Sequence, residues 1–432
     1  MSNLKLSFLG LLSLVLASTS LLSAQKYDLV LKSGHVIDTK NNIDAVMDVA
    51  ILNGRIAKVE PSISSVDAVR VVDARGLYVT PGLIDAHVHV YTGTGEPNSY
   101  AGDNSIYPDG FTFRVGVTTV VDAGCSGWRN FSDFKSRIID RSKTRIMVML
   151  NIVGAGMRGE KYEQNVNDMD GETTGKFALK YPGIIVGIKS AHFEGGEWTP
   201  YKEAVKAGTI ANIPVMIDYG ANRPERPLYD LLSKVLRPGD IYTHMYSGLR
   251  DEQDPVTKNA STAMKIGRKR GIYFDIGHGG GSFNWEVAVP LVKNGFRPDS
   301  ISTDLHIGSM NAGMKDILNV ADKMLALGIP LPEVIKDMTE TPAREFKHEE
   351  LGNLSVGAPA DVAILRLLDG KFGFTDMNNA VYLGSQKIEC EMTLRDGKVV
   401  YDLNGLTADP WNHRTTTVDQ AKRFTTMHVS QK

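Results

Sequence analysis

Hydrophobic and polar positions change rhythm twice along this chain. From Lys26 the pattern is short and alternating, in YDLVLKSGHVID, DVAILNGRIAKVE and VRVVDARGLYVTPG. That is the period of half-buried strands. The Ser33-Gly34 and Asn53-Gly54 pairs read as hairpin turns between them. The same texture returns late, in GAPADVAILRLLD and IECEMTLRDGKVVYD, with a further turn at Asp396-Gly397. Residues 25–78 and 351–408 therefore predict one small β domain, a β-sandwich assembled from both parts of the chain. Residues 409–432 are polar and read as a surface tail.

Between these parts, apolar runs alternate with helix-like stretches such as YKEAVKAG and YDLLSKVL. The runs are GLIDAHVHV (82–90), VTTVVDAG (117–124), IMVMLNI (146–152), GIIVGIKS (183–190), IPVMIDYG (213–220), DIYTHMYSG (240–248), GIYFDIGHG (271–279) and SISTDLH (300–306). Eight strand-then-helix units predict an α/β fold, a (β/α)8 TIM barrel over residues 79–350. An open doubly wound sheet is disfavoured. The only glycine run, Gly279-Gly280-Gly281, lacks the spacing of a dinucleotide fingerprint.

The first residues differ in kind. Lys5 precedes an apolar stretch from Leu6 to Leu22, then Ser23-Ala24-Gln25. This predicts a secretory signal peptide over residues 1–24 and a periplasmic or secreted protein. Leu22 departs from the small residue usual three positions before cleavage. Ser13, Ser18, Thr19 and Ser20 interrupt the stretch and weaken it as a membrane span, which needs about 20 mainly apolar residues. No stable membrane association is expected after cleavage.

Composition narrows the partners. With 50 acidic and 48 basic side chains, neither sign dominates, which argues against nucleic acid. The two cysteines, Cys125 and Cys390, fall in different predicted domains and lack the spacing of a zinc knuckle. They read as unpaired thiols, with an inter-domain disulfide as the alternative.

The chemistry-bearing residues cluster at the ends of the predicted strands, where barrels of this kind carry their active sites. His87 and His89 are spaced i, i+2 on the first strand, so both can face one metal ion. Lys189 ends the fourth run, His244 lies in the sixth, His278 in the seventh and Asp304 in the eighth; Asp218 lies near the end of the fifth. His192 lies just beyond a strand end.

PGLIDAHVH and STDLH resemble motifs of the amidohydrolase superfamily. GIKS, THMYSG and FDIGHGGGSF resemble more narrowly its dihydroorotase-like deacetylase branch. The resemblance covers nearly the whole chain after the leader. It implies one or two divalent ions, zinc first and manganese as the alternative. It implies that His87, His89 and Asp304 hold the first ion. Lys189, carboxylated by CO2 to a carbamate, bridges the two, and His244 holds the second. The branch carries a histidine on strand five where this chain has Asp218, which can still ligate through oxygen. Lysine is a poor ligand at its ordinary pKa of about 10.4, but burial frees the amine for reaction with CO2.

The resemblance makes Asp304 the acid/base group of a hydrolytic reaction. His278, in the glycine-rich loop, is expected to face substrate. Arg158, after strand three, is expected to meet a substrate carboxylate. The expected function is hydrolysis of the amide bond, or an acyl ester bond, of a small acylated acid. The rivals are a cyclic-amide hydrolase of the dihydroorotase type and a non-catalytic protein that kept the fold. Metal content separates the latter. The loops at 91–112, 154–180 and 249–258 carry no interpretable motif, so the small-molecule substrate stays open, as does assembly into a homo-oligomer.

Overall fold

The computed structural model describes residues 26–413, Ala221 excepted. The predicted signal peptide and residues 414–432 lie outside the described residues. No helix among the described residues is long and apolar enough to cross a membrane.

Five strands open the described chain: β1 (Tyr27–Asp38), β2 (Ile43–Leu52), β3 (Arg55–Glu60), β4 (Ala68–Asp73) and β5 (Tyr78–Pro81). Seven follow: β6 (Leu83–Val88), β7 (Val117–Asp122), β8 (Arg145–Asn151), β9 (Ile185–Ser190), β10 (Val215–Ile217), β11 (Ile241–Tyr242) and β12 (Tyr273–Phe274). Three close the series: β13 (Val362–Thr375), β14 (Val381–Arg395) and β15 (Lys398–Asp402).

The early and late strands join as expected, but in one eight-stranded mixed sheet rather than two hydrogen-bonded sheets of a sandwich. The link is β5, which pairs with β1 on one side and β13 on the other. Tyr78–Pro81 thus belongs to this sheet, and the change of sheet falls at Gly82 rather than at residue 79. Asn53-Gly54 and Asp396-Gly397 form the expected two-residue turns, with all four residues at positive φ. Ser33-Gly34 does not turn the chain. β1 runs through it, the register with β2 shifts there, and Ser33 sits at φ 57°. A single left-handed residue serves a bulge as well as a turn, so the local sequence signal is the same.

The other sheet is parallel, ordered β12-β11-β10-β9-β8-β7-β6. Both faces are buried, as parallel strands flanked by helices require. Ile84, Ala86, Val121, Met147, Met149, Val186, Met216 and Ile241 form one cluster. Val120, Val148, Leu150, Ile188, Val215 and Ile217 pack in another, with residues from the surrounding helices.

The eighth run forms no strand ladder but bonds to both edges. Leu305 makes a parallel bridge to Val88, and Ser300 one to Asp275. His89 N–H donates to Leu305 O at 2.9 Å, and Gly279 N–H to Thr303 O at 2.9 Å. Asp85 ties this segment to β6: one carboxylate oxygen accepts from the Thr303 hydroxyl at 2.5 Å and the other from its N–H at 3.1 Å. The segment carrying Asp304 is thereby fixed beside the strand carrying His87.

Candidate metal centre

Two imidazoles and one carboxylate converge where β6 ends. Asp304 Oδ1 lies 2.9 Å from His89 Nε2 and 3.6 Å from His87 Nε2. One ligand atom from each residue falls within 4.8 Å of the others. The β6–β7 ladder breaks between Asp85 and Val88, where His87 sits. Bulges beside functional sites re-aim side chains in this way.

Hydrogen bonds fix the His87 tautomer. The Thr243 hydroxyl donates to Asp275 Oδ2 at 2.6 Å, so its oxygen accepts from His87 Nδ1–H at 3.1 Å. Nε2 is left with its lone pair facing the centre. Burial and the nearby Lys189 charge lower the His87 pKa to about 3, which keeps the ring neutral as a ligand must be. His89 Nδ1 rests 3.2 Å from Cys125 Sγ. That cysteine and Cys390 are both free and buried. Asp304 is held well below the ordinary carboxylate range: burial works against this, but the close His87 and His89 rings outweigh it.

Lys189 is buried to 1% exposure, with Nζ 3.1 Å from His87 Nε2 and 3.5 Å from Met216 Sδ. Burial lowers its pKa while surrounding carboxylates, Asp218 first, oppose the shift. Its hydrogen-bond partners are an imidazole and a thioether rather than a carboxylate, so it is not the lysine of a simple buried ion pair. His244 donates Nδ1–H to Gly277 O at 2.5 Å, which leaves Nε2 free and 3.5 Å from Asp218 Oδ2. Asp218 Oδ1 is held at 2.7 Å by Arg250. Burial would raise the Asp218 pKa, but His244 and Arg250 bring it well below the usual range.

Three residues of this centre escape sequence reasoning, and a fourth, His192, is noted there only for lying beyond a strand end. His192 turns at φ 54° and points Nε2 at Asp218 Oδ2, 3.5 Å away. Glu163 accepts from its Nδ1 at 2.8 Å. Arg250 supplies the charge that balances Asp218. Tyr100, from the loop after β6, lays its ring 4.4 Å from His89 and 5.6 Å from His192. Burial and the charges of Asp304 and Asp218 push its phenol pKa up, so the hydroxyl stays protonated. The available signal was the position of His192, three residues after Lys189 at a strand end.

The two expected substrate contacts take other partners. His278 is fully buried and stacked on Phe283 at 4.6 Å. Its Nδ1 donates to Gly279 O at 2.8 Å, and Lys323 Nζ meets its Nε2. Both ring nitrogens are engaged within the protein. Arg158 is half-buried and donates to both carboxylate oxygens of Glu96, at 2.8 and 2.9 Å. It joins the loops that follow β6 and β8.

The glycine run has a steric role. Gly277 and Gly279 lie at φ 48° and 54°, which L side chains rarely adopt. A Cβ on Gly279 would come 2.4 Å from Asp304 Oδ2. One on Gly277 would come 2.9 Å from His244 Nδ1 and 3.0 Å from His87 Nδ1. The loop can approach the ligands closely only without side chains.

No family model matches the chain. Individual relatives do. It is 34% identical over 347 residues to a deacetylase of Brucella anthropi, covering 78% of this chain and 84% of that one. A deacetylase of Agrobacterium fabrum is 33% identical over 337 residues, covering 76% and 80%. The chain belongs to the deacetylase branch of the amidohydrolase superfamily. Solved structures agree. An adenine deaminase superposes with a TM-score of 0.79 at 28% identity, covering 87% of this chain and 100% of that one. A dihydroorotase superposes at 0.75 and 28%, covering 87% and 99%. In this amidohydrolase the donor set is buried, imidazole- and carboxylate-rich, and tautomerically fixed, which fits a divalent ion.

Proposed function

We propose that this chain is a metal-dependent hydrolase that removes the acyl group from a small acylated acid, an N-acyl amino acid being the leading case. Membership of the branch makes it a hydrolase acting on carbon–nitrogen bonds other than peptide bonds. The observation that carries the reading is the convergence of His87, His89 and Asp304 beside a buried Lys189 that has no carboxylate among its hydrogen-bond partners.

The fold behind it is read as a (β/α)8 barrel closed by residues 300–305, with a small β domain from both parts of the chain. The two-edged bonding of that segment supports the closure. The N-terminal pattern supports export and, with it, a reaction in the periplasm or outside the cell.

His87, His89 and Asp304 would hold the first ion; His244 and Asp218 would hold the second. Zinc suits this set, with manganese the alternative. When bound, the ion supplies Lewis acidity and a water of lowered pKa. The remaining work falls to side chains. The Lys189 amine attacks CO2: an N–C bond forms, one C=O π pair moves onto oxygen, and the nitrogen proton passes to solvent, giving an anionic oxygen donor. Asp304 Oδ2, which is not hydrogen-bonded to either histidine, takes the proton from the attacking water. It then delivers that proton to the departing nitrogen. Tyr100 packs its ring against His89 and His192.

The test is a panel of N-acyl and O-acyl acids of both chiralities, with cyclic ureides included, run with zinc or manganese and bicarbonate. Turnover of an acylated acid, abolished by chelation, is expected. Asp304→Asn should lose ~10²–10⁴-fold in turnover. Preference for a cyclic ureide would move the substrate to the dihydroorotase-type reading. No turnover by metal-loaded protein would overturn the hydrolase assignment.

A further inference from the structure

A cavity of about 200 Å3 lies between the chain entering β7 and the start of helix Ile317–Ala326. None of His87, His89, Lys189 and Asp304 lines it. Its floor is apolar and closed: Val117, Leu305 and Ile317 are 2%, 7% and 1% exposed. Its mouth is open, with Phe111 at 37% exposure and the side chains of Arg114 and Lys315 exposed beside it. Val115 and Met310, both half-buried, complete the apolar wall.

Four charged residues line this space, and they differ in what holds them. The acids are engaged by the fold. Asp85 accepts from Thr303 through both oxygens, and Asp316 caps the helix by accepting from Asn319 N–H at 2.8 Å. The bases are not. Among the described residues neither Arg114 nor Lys315 forms an ion pair. Lys315 donates only to Ala312 O, and Arg114 donates no hydrogen bond but rests 5.7 Å from the centroid of the Tyr401 ring. Two cations with donors to spare thus stand over an apolar floor.

That combination selects a ligand class. A small inorganic anion would meet the cations and leave the floor unfilled. A neutral hydrocarbon would fill the floor and leave the cations unused. An acid with a short aliphatic chain does both: each methylene gains from burial, and the carboxylate takes charge-assisted bonds from guanidinium and ammonium. At ~30 Å3 for each water-sized atom, the volume accepts about seven, which suits a chain of that kind with its head at the mouth.

We propose that this cavity binds a small aliphatic carboxylate, with its chain against Leu305 and Ile317 and its head held by Arg114 and Lys315. The site borders the frame of the metal centre without belonging to it. Leu305 follows Asp304, and its N–H donates to His87 O at 3.3 Å. Binding here does not depend on the hydrolase reading.

Methionine signals test it. The full chain, labelled with 13C-methyl methionine and kept in chelator, is titrated with hexanoate, hexanamide and acetate. Met310 lines the cavity and Met216 lies beside Lys189, so their methyl signals separate this site from the metal centre. Met310→Leu and Met216→Leu assign the two. Hexanoate is expected to shift Met310 and leave Met216 in place. It should bind roughly tenfold or more tightly than acetate, which lacks the chain, or hexanamide, which lacks the charge. Arg114→Met/Lys315→Met changes two exposed side chains and should weaken hexanoate by about tenfold, with circular dichroism confirming the fold. If that variant does not fold, the hexanamide comparison decides alone. Absence of a Met310 shift, a shift confined to Met216, equal binding of hexanamide, or full binding by the folded double variant would each overturn the proposal.

Discussion

Asp218 and Arg250 form a buried ion pair, with Oδ1 2.7 Å from the guanidinium nitrogen and both side chains 5% exposed. Arg250 also donates to Gly220 O at 2.5 Å. A buried carboxylate at this register needs a compensating charge, and the loop after β11 provides it. Arg250→Met removes the partner and leaves the carboxylate uncompensated. Breaking such a pair typically costs about 3–5 kcal/mol. Urea unfolding of the metal-free protein should show a loss of that order. A change within about 0.5 kcal/mol, the ordinary range for surface substitutions, would mean that Arg250 does not balance Asp218.

Gly279 and Gly281 should respond very differently to one added methyl. At Gly279 the Cβ meets Asp304 Oδ2 at 2.4 Å and φ is 54°, whereas at Gly281 it meets open space. Gly279→Ala should lose at least 100-fold in kcat by displacing the proton-carrying oxygen, while Gly281→Ala should stay within about threefold. Equal effects at the two positions would show that the loop matters for flexibility rather than for clearance.

Lys189 is poised for carboxylation because its amine is buried and has no carboxylate among its hydrogen-bond partners. Protein loaded with zinc in 13C-bicarbonate should give a carbamate carbon resonance, absent from Lys189→Ala. That variant should also lose metal, with partial return of activity in acetate. A zinc-loaded wild type without the resonance would remove the carbamate from the account.

Much of this was legible in the chain. The strand period placed His87 and His89 side by side at the end of β6, and the alternating runs gave the parallel sheet and the position of Asp304. Other features depend on tertiary contacts that no period encodes. Tyr100 and Arg250 lie in loops and Glu163 in a one-turn helix, and each gains its role from a partner far along the chain. His278 stood at the expected strand end, but its orientation is set by Lys323 and Phe283, which lie beyond local sequence. The Ser33-Gly34 bulge shares its dipeptide signature with a turn, and only the β1 pairing separates them.

Asp322 gives the mixed sheet a pH signature away from the metal centre. It lies in helix Ile317–Ala326, is fully buried, and accepts from Ile388 N–H of β14 at 2.8 Å. Burial pushes its pKa up to about 8. The folded state therefore keeps the proton after the unfolded chain has released it. Stability from this group is fully present below the unfolded value near 4 and declines as pH rises toward 8. Asp322→Asn removes the decline. Its stability relative to wild type should increase between pH 4.5 and pH 8 in chelated, denaturant-unfolded samples. A difference that does not change with pH would show that Asp322 is ionised in the fold.

The most direct test of the central claim is metal content measured together with turnover of an N-acyl amino acid, in the wild type and in His87→Ala/His89→Ala. The account predicts bound zinc or manganese and chelator-sensitive turnover in the wild type. It predicts loss of at least one equivalent and of all turnover in the folded double variant. Unchanged metal content in that variant, or turnover that survives chelation, would contradict it.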